Sequence, residues 1–263
     1  MKSELKSTDC CSIPSLGLGT WKLRGNECVS TVRKALEIGY RHIDTAIFYE
    51  NEEEVGKAIG NYPREDLFIT TKVWKDKLKY RDFKRSAEES LERLGTDYVD
   101  LLLIHWPNPS IPLEETMRAM NELVEEGKVN HPGVSNFNRS QLAKAQDLSD
   151  YPLATNQIKY HLGMDRSDMV NYCKNNGIFL TAYSPLGRGK VFERDVLSQV
   201  AKKYGKTPGQ IALKWLVEQK NVMAIPKASS ESHLRQNIDV FGWELETEDV
   251  ETLNELEIES HID

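Results

Sequence analysis

No run of apolar residues in this chain approaches the ~20 that a membrane-spanning helix needs. Nor is there a basic excess: Lys and Arg total 34 against 41 Asp and Glu, a formal charge of −7. Phosphate backbones are bound by clustered cations, so nucleic acid is not an expected partner. Cysteine is scarce, with Cys10, Cys11, Cys28 and Cys173 the four in 263 residues. They form no C-x-x-C pair, and adjacent Cys10-Cys11 makes a poor disulfide framework, so free thiols in a reducing compartment are expected. The opening MKSELKSTDC is too polar for the apolar part of a signal peptide. A cytoplasmic protein with no membrane partner is the expectation. Low-complexity stretches and Pro/Gly/Ser linkers are also missing, which predicts one domain over residues 1–263. That length suits one α/β barrel and can bury a core without staples.

What is present is an alternation. Short apolar or β-branched runs occur at Ser15–Leu18, His42–Asp44, Leu67–Lys72, Tyr98–His105, Val129–Ser135, Ala154–Tyr160, Ile178–Tyr183 and Val222–Ile225. Runs as continuous as Val99-Asp100-Leu101-Leu102-Leu103-Ile104 suit strands covered on both faces, as in a parallel sheet. Between them the spacing turns helical. Phe83, Ala87, Leu91 and Leu94 share one stripe, Val29, Val32, Ala35 and Leu36 a second, and Val196, Leu197, Val200, Ala201 and Tyr204 a third. Thr207-Pro208 reads as an N-cap followed by proline at the first helical position. Gly39, Gly95, Gly127 and Gly177 each follow a helical stretch, where a closing glycine is expected. Eight strands alternating once each with about eight helices predict a (β/α)8 TIM barrel, residues 1–14 preceding its first strand; a doubly wound open sheet is the alternative.

A barrel of this type does its chemistry at the C-terminal ends of its strands. Those ends carry Asp44, Lys72, His105, Ser135-Asn136, Gln157, Tyr183-Ser184 and Lys227, while the strand bodies are apolar. Taken singly, a terminal Lys reads as a solvated charge, a lone His as a structural imidazole and Asp44-Thr45 as a turn cap. Their joint occurrence on one barrel favours a site.

At these residues the chain resembles the aldo-keto reductases, from about Leu16 to Leu256. The resemblance rests on GLGTWKL from Gly17, GYRHIDTAIFYENEEEVGKAI from Gly39, ITTKVW from Ile69 and DLLLIHWP from Asp100. It continues through GVSNF from Gly133, NQIKYH from Asn156, AYSPLGRG from Ala182 and IPKASS from Ile225, in the family's order and spacing. It implies reduction of an aldehyde or ketone with NADPH preferred and NADH possible, no metal, and a monomer. The catalytic tetrad it implies is Asp44, Tyr49, Lys72 and His105. Tyr49 would protonate the carbonyl oxygen, and Lys72 would lower the phenol's pKa towards neutrality. Asp44 would keep Lys72 charged and in place, and His105 would orient the carbonyl. Histidine there, rather than the glutamate of a branch that reduces carbon–carbon double bonds, implies carbonyl substrates.

Cofactor residues are implied in the same way. Ser135, Asn136 and Gln157 are implied for the nicotinamide carboxamide and Tyr183 for stacking on its ring, with Gly19, Thr20 and Asp44 as further cofactor-binding residues. Ser184 and Leu186 are implied near the pyrophosphate, and Lys227, Ser229, His233, Gln236 and Asn237 at the adenosine end. His233 stands where much of the family has an arginine on the 2′-phosphate. Gly17-Leu18-Gly19 is followed by Lys22, so no Rossmann fingerprint is present. Trp21, Phe48, Trp74 and Trp106 are implied as the substrate pocket, with His105. A short segment after Arg188 predicts an open pocket. Pro132, inside a barrel strand, predicts a local irregularity able to displace Ser135 and Asn136. Rival readings are a non-catalytic regulatory barrel and a Schiff-base aldolase using Lys72. A serine hydrolase is a weaker rival still, because Gly133-Val134-Ser135-Asn136-Phe137 lacks the closing glycine of G-x-S-x-G.

Overall fold

The computed structural model describes residues 4–8 and 11–256; Cys10 lies outside them. In chain order the elements are β1 (Leu5–Ser7), β2 (Ser12–Pro14), β3 (Leu18–Gly19), α1 (Gly25–Ile38), β4 (His42–Asp44), α2 (Glu52–Ile59) and β5 (Phe68–Val73). They continue with α3 (Tyr80–Leu94), β6 (Val99–Ile104), α4 (Leu113–Glu125), β7 (Val129–Ser135), α5 (Arg139–Asp147), β8 (Thr155–Lys159) and α6 (Ser167–Asn175). Then come β9 (Phe179–Tyr183), α7 (Asp195–Tyr204), α8 (Pro208–Glu218), β10 (Val222–Ala224), α9 (Glu231–Ile238) and α10 (Thr247–Asn254).

Strands β3 to β10 pair in parallel, each with its neighbour in sequence. A parallel bridge between Leu16 and Ala224 joins the first to the last, closing the (β/α)8 barrel. The stripes read from sequence are the buried faces: Phe83, Ala87, Leu91 and Leu94 of α3 are all in the core. Burying each large side chain of this kind contributes roughly 1.5–3 kcal/mol. Thr207 caps α8 in a full capping box with Gln210.

Two expectations need correction. Helices do not alternate once each with strands, because α7 and α8 both lie between β9 and β10. Gly205, in the left-handed region at φ 62°, ends α7, and the Thr207 cap starts a second helix at once. Ahead of the barrel's first strand, β1 and β2 form an antiparallel hairpin. Its Ile13 is fully buried among Phe68, Leu101, Leu103, Phe179 and Met223, plugging the end of the barrel where the strands begin. Lys6 anchors the hairpin by donating to the Gln219 and Val222 carbonyls, both at 2.5 Å.

Pro132 does not displace Ser135 and Asn136. β7 pairs with β6 through His131, Pro132 and Gly133 without a break. The proline's carbonyl accepts from the Ala154 N–H on the β8 side, at 2.8 Å. A parallel strand points a residue's N and O at the same neighbour. The missing N–H therefore faces the lead-in to β8, where the regular ladder starts only at Val134. The irregularity ends before the strand reaches Ser135.

Candidate active site

Neighbouring strands deliver the first three residues. Asp44 ends β4, Lys72 is the next-to-last residue of β5, and His105 follows β6. All three are buried, with Lys72 at 0 % exposure and Asp44 at 1 %. Tyr49 closes a 3₁₀ turn (Ile47–Tyr49) after β4 and is half-buried. Lys72 Nζ is the hub. It donates to Asp44 Oδ1 at 2.5 Å, to the Thr45 carbonyl at 2.8 Å and to the Tyr49 hydroxyl at 3.3 Å. The other Asp44 oxygen accepts from Gln157 Nε2 at 2.7 Å, so the carboxylate is tied to two strands besides its own.

Burial works against the Lys72 ammonium, but the Asp44 carboxylate and the Tyr49 oxygen outweigh it and its pKa lies above the usual lysine value. For Tyr49 the direction expected from the resemblance is reversed. Burial drives the phenol's pKa up, Lys72 pulls it down, and the net is a rise. His105 is pushed down to about 3 by burial and by Lys72, so its imidazole is neutral.

Above this floor lies a cleft of about 270 Å³ reaching from Trp21 to Lys227. One wall is aromatic. Phe48 stacks on Trp74 with centroids 4.0 Å apart and on Trp21 at 5.8 Å, while the Trp74 and Tyr49 rings meet His105 edge-on. Trp21, Phe48 and Trp106 stay exposed at 39–45 %, as an open pocket requires. The opposite wall holds Ser135, Asn136, Gln157, Tyr183 and Ser184, with Gly19 beside them. Gly19 has no room for a side chain: a Cβ there would sit 2.8 Å from the Ile225 carbonyl. Tyr183 donates its hydroxyl to Asn136 Oδ1 at 3.0 Å, and Asn136 Nδ2 donates to the His105 carbonyl at 3.0 Å.

Not every residue implied by the resemblance reaches the cleft. Thr20 is fully buried and donates its hydroxyl to the Asp44 carbonyl at 3.0 Å, supporting the floor from behind. Leu186 packs against the core, and Asn237 is buried in α9. Ser229, His233 and Gln236 are exposed on the turn after Lys227 and on α9, outside the cleft lining. Sequence reasoning missed Arg188 and Ile225 as lining residues. It also could not see that the five non-glycine residues with positive φ among those described either line this cleft or directly follow a residue that does. Asn136, Ser184 and Arg188 line the cleft, and Lys22 and Glu50 follow Trp21 and Tyr49. Left-handed backbone is costly for such residues and gathers at functional sites.

A dinucleotide with a nicotinamide end fits these groups. Gln157 lines the cleft with its Nε2 committed to Asp44, so Oε1 is the end of the amide left to accept from a carboxamide. Arg188 and Lys227, both exposed, put two cations on one rim in a protein whose net charge is negative.

Known proteins share both fold and sequence with this chain. Over 259 residues it is 39% identical to the glyoxal reductase of Bacillus subtilis, covering 97% of this chain and 93% of that protein. A methylglyoxal reductase of Escherichia coli is 38% identical over 261 residues, 96% and 93% of the two chains. The crystal structure of a Bombyx mori aldo-keto reductase in complex with NADP superposes with a TM-score of 0.90 at 33% identity, covering 98% and 94%. The sequence profile of the Aldo/keto reductase family matches residues 15–258, the whole barrel and every residue lining the cleft, and the chain belongs to that family.

Proposed function

We propose that this protein reduces small aldehydes and α-dicarbonyls with NADPH, Tyr49 donating the proton. The observation that carries the reading is the convergence of Asp44 and Tyr49 on the Lys72 ammonium beneath an open aromatic cleft. Glyoxal and methylglyoxal name the substrates of two relatives, and both are small enough for the cleft.

When bound, the reduced nicotinamide supplies a hydride to the carbonyl carbon. The chain's own residues do the rest. Gln157 Oε1, with Ser135 and Asn136, would hold the carboxamide, and the Tyr183 ring would back the nicotinamide. Arg188 and Lys227 are placed to meet phosphate oxygens, and Lys227 leads on to Ser229, His233 and Gln236 for the adenosine end. Neutral His105 would donate a hydrogen bond to the substrate oxygen without competing to protonate it. Tyr49 gives up its proton as negative charge builds on that oxygen, and the Lys72 ammonium steadies the phenolate left behind. Asp44 keeps Lys72 charged, which also weighs against the aldolase reading, since a Schiff-base lysine must be a neutral amine. Cys28 and Cys173, buried as free thiols, support a reducing, cytoplasmic setting. Loss of NADPH absorbance on adding methylglyoxal to the purified protein tests the reading. No loss with any aldehyde across a broad panel would sink it.

A further inference from the structure

Asn51 occupies the N-cap of α2, where an asparagine side chain ordinarily accepts from the free N–H groups of the helix's first turn. Here it makes no such bond. The side chain is fully buried and turned the other way. Its Oδ1 accepts from the Thr45 hydroxyl at 2.7 Å, and its Nδ2 donates to the carbonyls of Thr20 and Leu23 at 3.0 and 3.1 Å. Two carbonyls facing one end of the amide fix which end is nitrogen. The forgone cap is offset by the acidic first turn, Glu52, Glu53 and Glu54, which suits a helix N-terminus.

Two loops are thereby joined at one point. Thr20 and Leu23 bound the turn that carries Trp21, and Thr45 and Asn51 bound the loop that carries Phe48 and Tyr49. Within that second loop Glu50 is held in the left-handed region at φ 51°, so the loop does not rest in a relaxed conformation. Thr45 is the link inward: its hydroxyl binds Asn51 while its own carbonyl accepts from Lys72 Nζ. Asn51 thus closes the loop whose one end fixes Lys72 and whose tip presents the Tyr49 hydroxyl 3.3 Å from it.

We propose that Asn51 is a positioning residue that sets the Tyr49–Lys72 separation through Thr45. The proposal rests on Tyr49 being the proton donor for its effect on rate, but not for its effect on the phenol itself. The charged and titratable groups facing that phenol are Lys72, Asp44, His105 and Tyr183. Among them Lys72 holds the pKa down, and burial holds it up. Loosening the loop weakens the first and not the second, so the phenol titrates at higher pH and becomes a poorer acid.

The experiment compares wild type, Asn51→Ala, Thr45→Val and Thr45→Ser. In each cofactor-free protein Tyr49 is titrated by NMR of ring-labelled tyrosine, its resonance assigned with Tyr49→Phe. Expected for Asn51→Ala and Thr45→Val is an upward-shifted Tyr49 titration and a kcat for methylglyoxal lowered about ten- to a hundredfold. The alkaline limb of kcat should move up with it, and the Kd for NADPH should stay within about twofold. Thr45→Ser keeps the hydroxyl and should restore kcat to within about threefold of wild type. If Asn51→Ala does not fold, Thr45→Val decides. A Tyr49 titration unmoved in the folded variants would overturn the proposal, as would the unfolding of both, since the amide would then hold the fold and not the site. If the wild type reduces no aldehyde, the proposed function fails by itself, and the titration still decides the role of Asn51.

Discussion

Replacing Tyr49 with phenylalanine removes one oxygen and leaves nearly every other contact of the ring. The ring packs on Trp21 at 4.9 Å and on His105 at 5.7 Å, and neither contact uses the hydroxyl. Lys72 loses one acceptor but keeps Asp44 at 2.5 Å and the Thr45 carbonyl at 2.8 Å, so the buried ammonium is not left unpaired. The fold should therefore lose no more than the ~1 kcal/mol of a net hydrogen bond. The Kd for NADPH should change less than twofold, because the implied nicotinamide groups lie on the opposite wall. The reaction loses its proton donor. Positioned acids contribute ~10²–10⁴-fold, about 2.7–5.5 kcal/mol of barrier. Steady-state reduction of methylglyoxal, with NADPH affinity followed by fluorescence quenching, separates the two effects. Turnover above about one hundredth of wild type would refute Tyr49 as the acid, and equal losses in turnover and affinity would show that the hydroxyl serves binding.

The buried pair and the histidines give further tests. Lys72→Met strands the Asp44 carboxylate in the interior, so urea denaturation should show a loss of about 3–5 kcal/mol, with turnover falling at least tenfold; a variant as stable as wild type would contradict the pairing. His233→Arg places a permanent charge and two donors where an exposed imidazole now stands, and the NADPH-over-NADH ratio of kcat/KM should rise roughly tenfold. An unchanged ratio would place residue 233 out of reach of the 2′-phosphate. Burial lowers the His42 pKa to about 4, and burial with Lys72 lowers that of His105 to about 3. Below their ordinary value of about 6.5 the unfolded chain then binds more protons than the folded one, so stability is lost as the pH is lowered. At pH 5 the two groups together should cost about 4 kcal/mol relative to pH 7, at ~1.4 kcal/mol per unit each; a flat urea midpoint over that range would contradict their burial as neutral rings.

The barrel was legible because its strands are apolar runs that each stop at a polar residue. Asp44, Lys72 and His105 lie at or beside the strand ends those stops predicted, whereas Gln157 sits in the middle of β8. The hairpin was not legible: β1 and β2 are three residues each, too short for an alternation to register, and of their six residues only Ile13 and Pro14 are buried. Tyr49 lies on a 3₁₀ turn after its strand, so spacing alone does not mark it and the family pattern was needed. The misjudged phenol has a physical lesson. Sequence reveals a lysine partner but not how deeply the pair is buried, and burial proved the larger influence. Asn51 was hidden for a similar reason, since an asparagine before a helix reads as its cap until the side chain is seen to face the other way.

The geometry of the hub narrows the choice of acid. An ammonium has three N–H donors, and those of Lys72 have three partners: a carboxylate, a carbonyl and the Tyr49 oxygen. None is left to reach a substrate, which sets Lys72 behind the tyrosine as a fixed charge. Asp44, hydrogen-bonded on both oxygens to Lys72 and Gln157, has no proton to give. His105 is neutral through the physiological range, and a neutral imidazole yields its N–H proton far less readily than a phenol does. Tyr49 alone of the four pairs an ionisable hydroxyl with a neighbouring cation that grows more favourable to it as the proton leaves. Burial raises the phenol's pKa in the resting protein, so the proton stays on oxygen at neutral pH until an acceptor of comparable basicity forms beside it. A carbonyl oxygen gaining negative charge is such an acceptor.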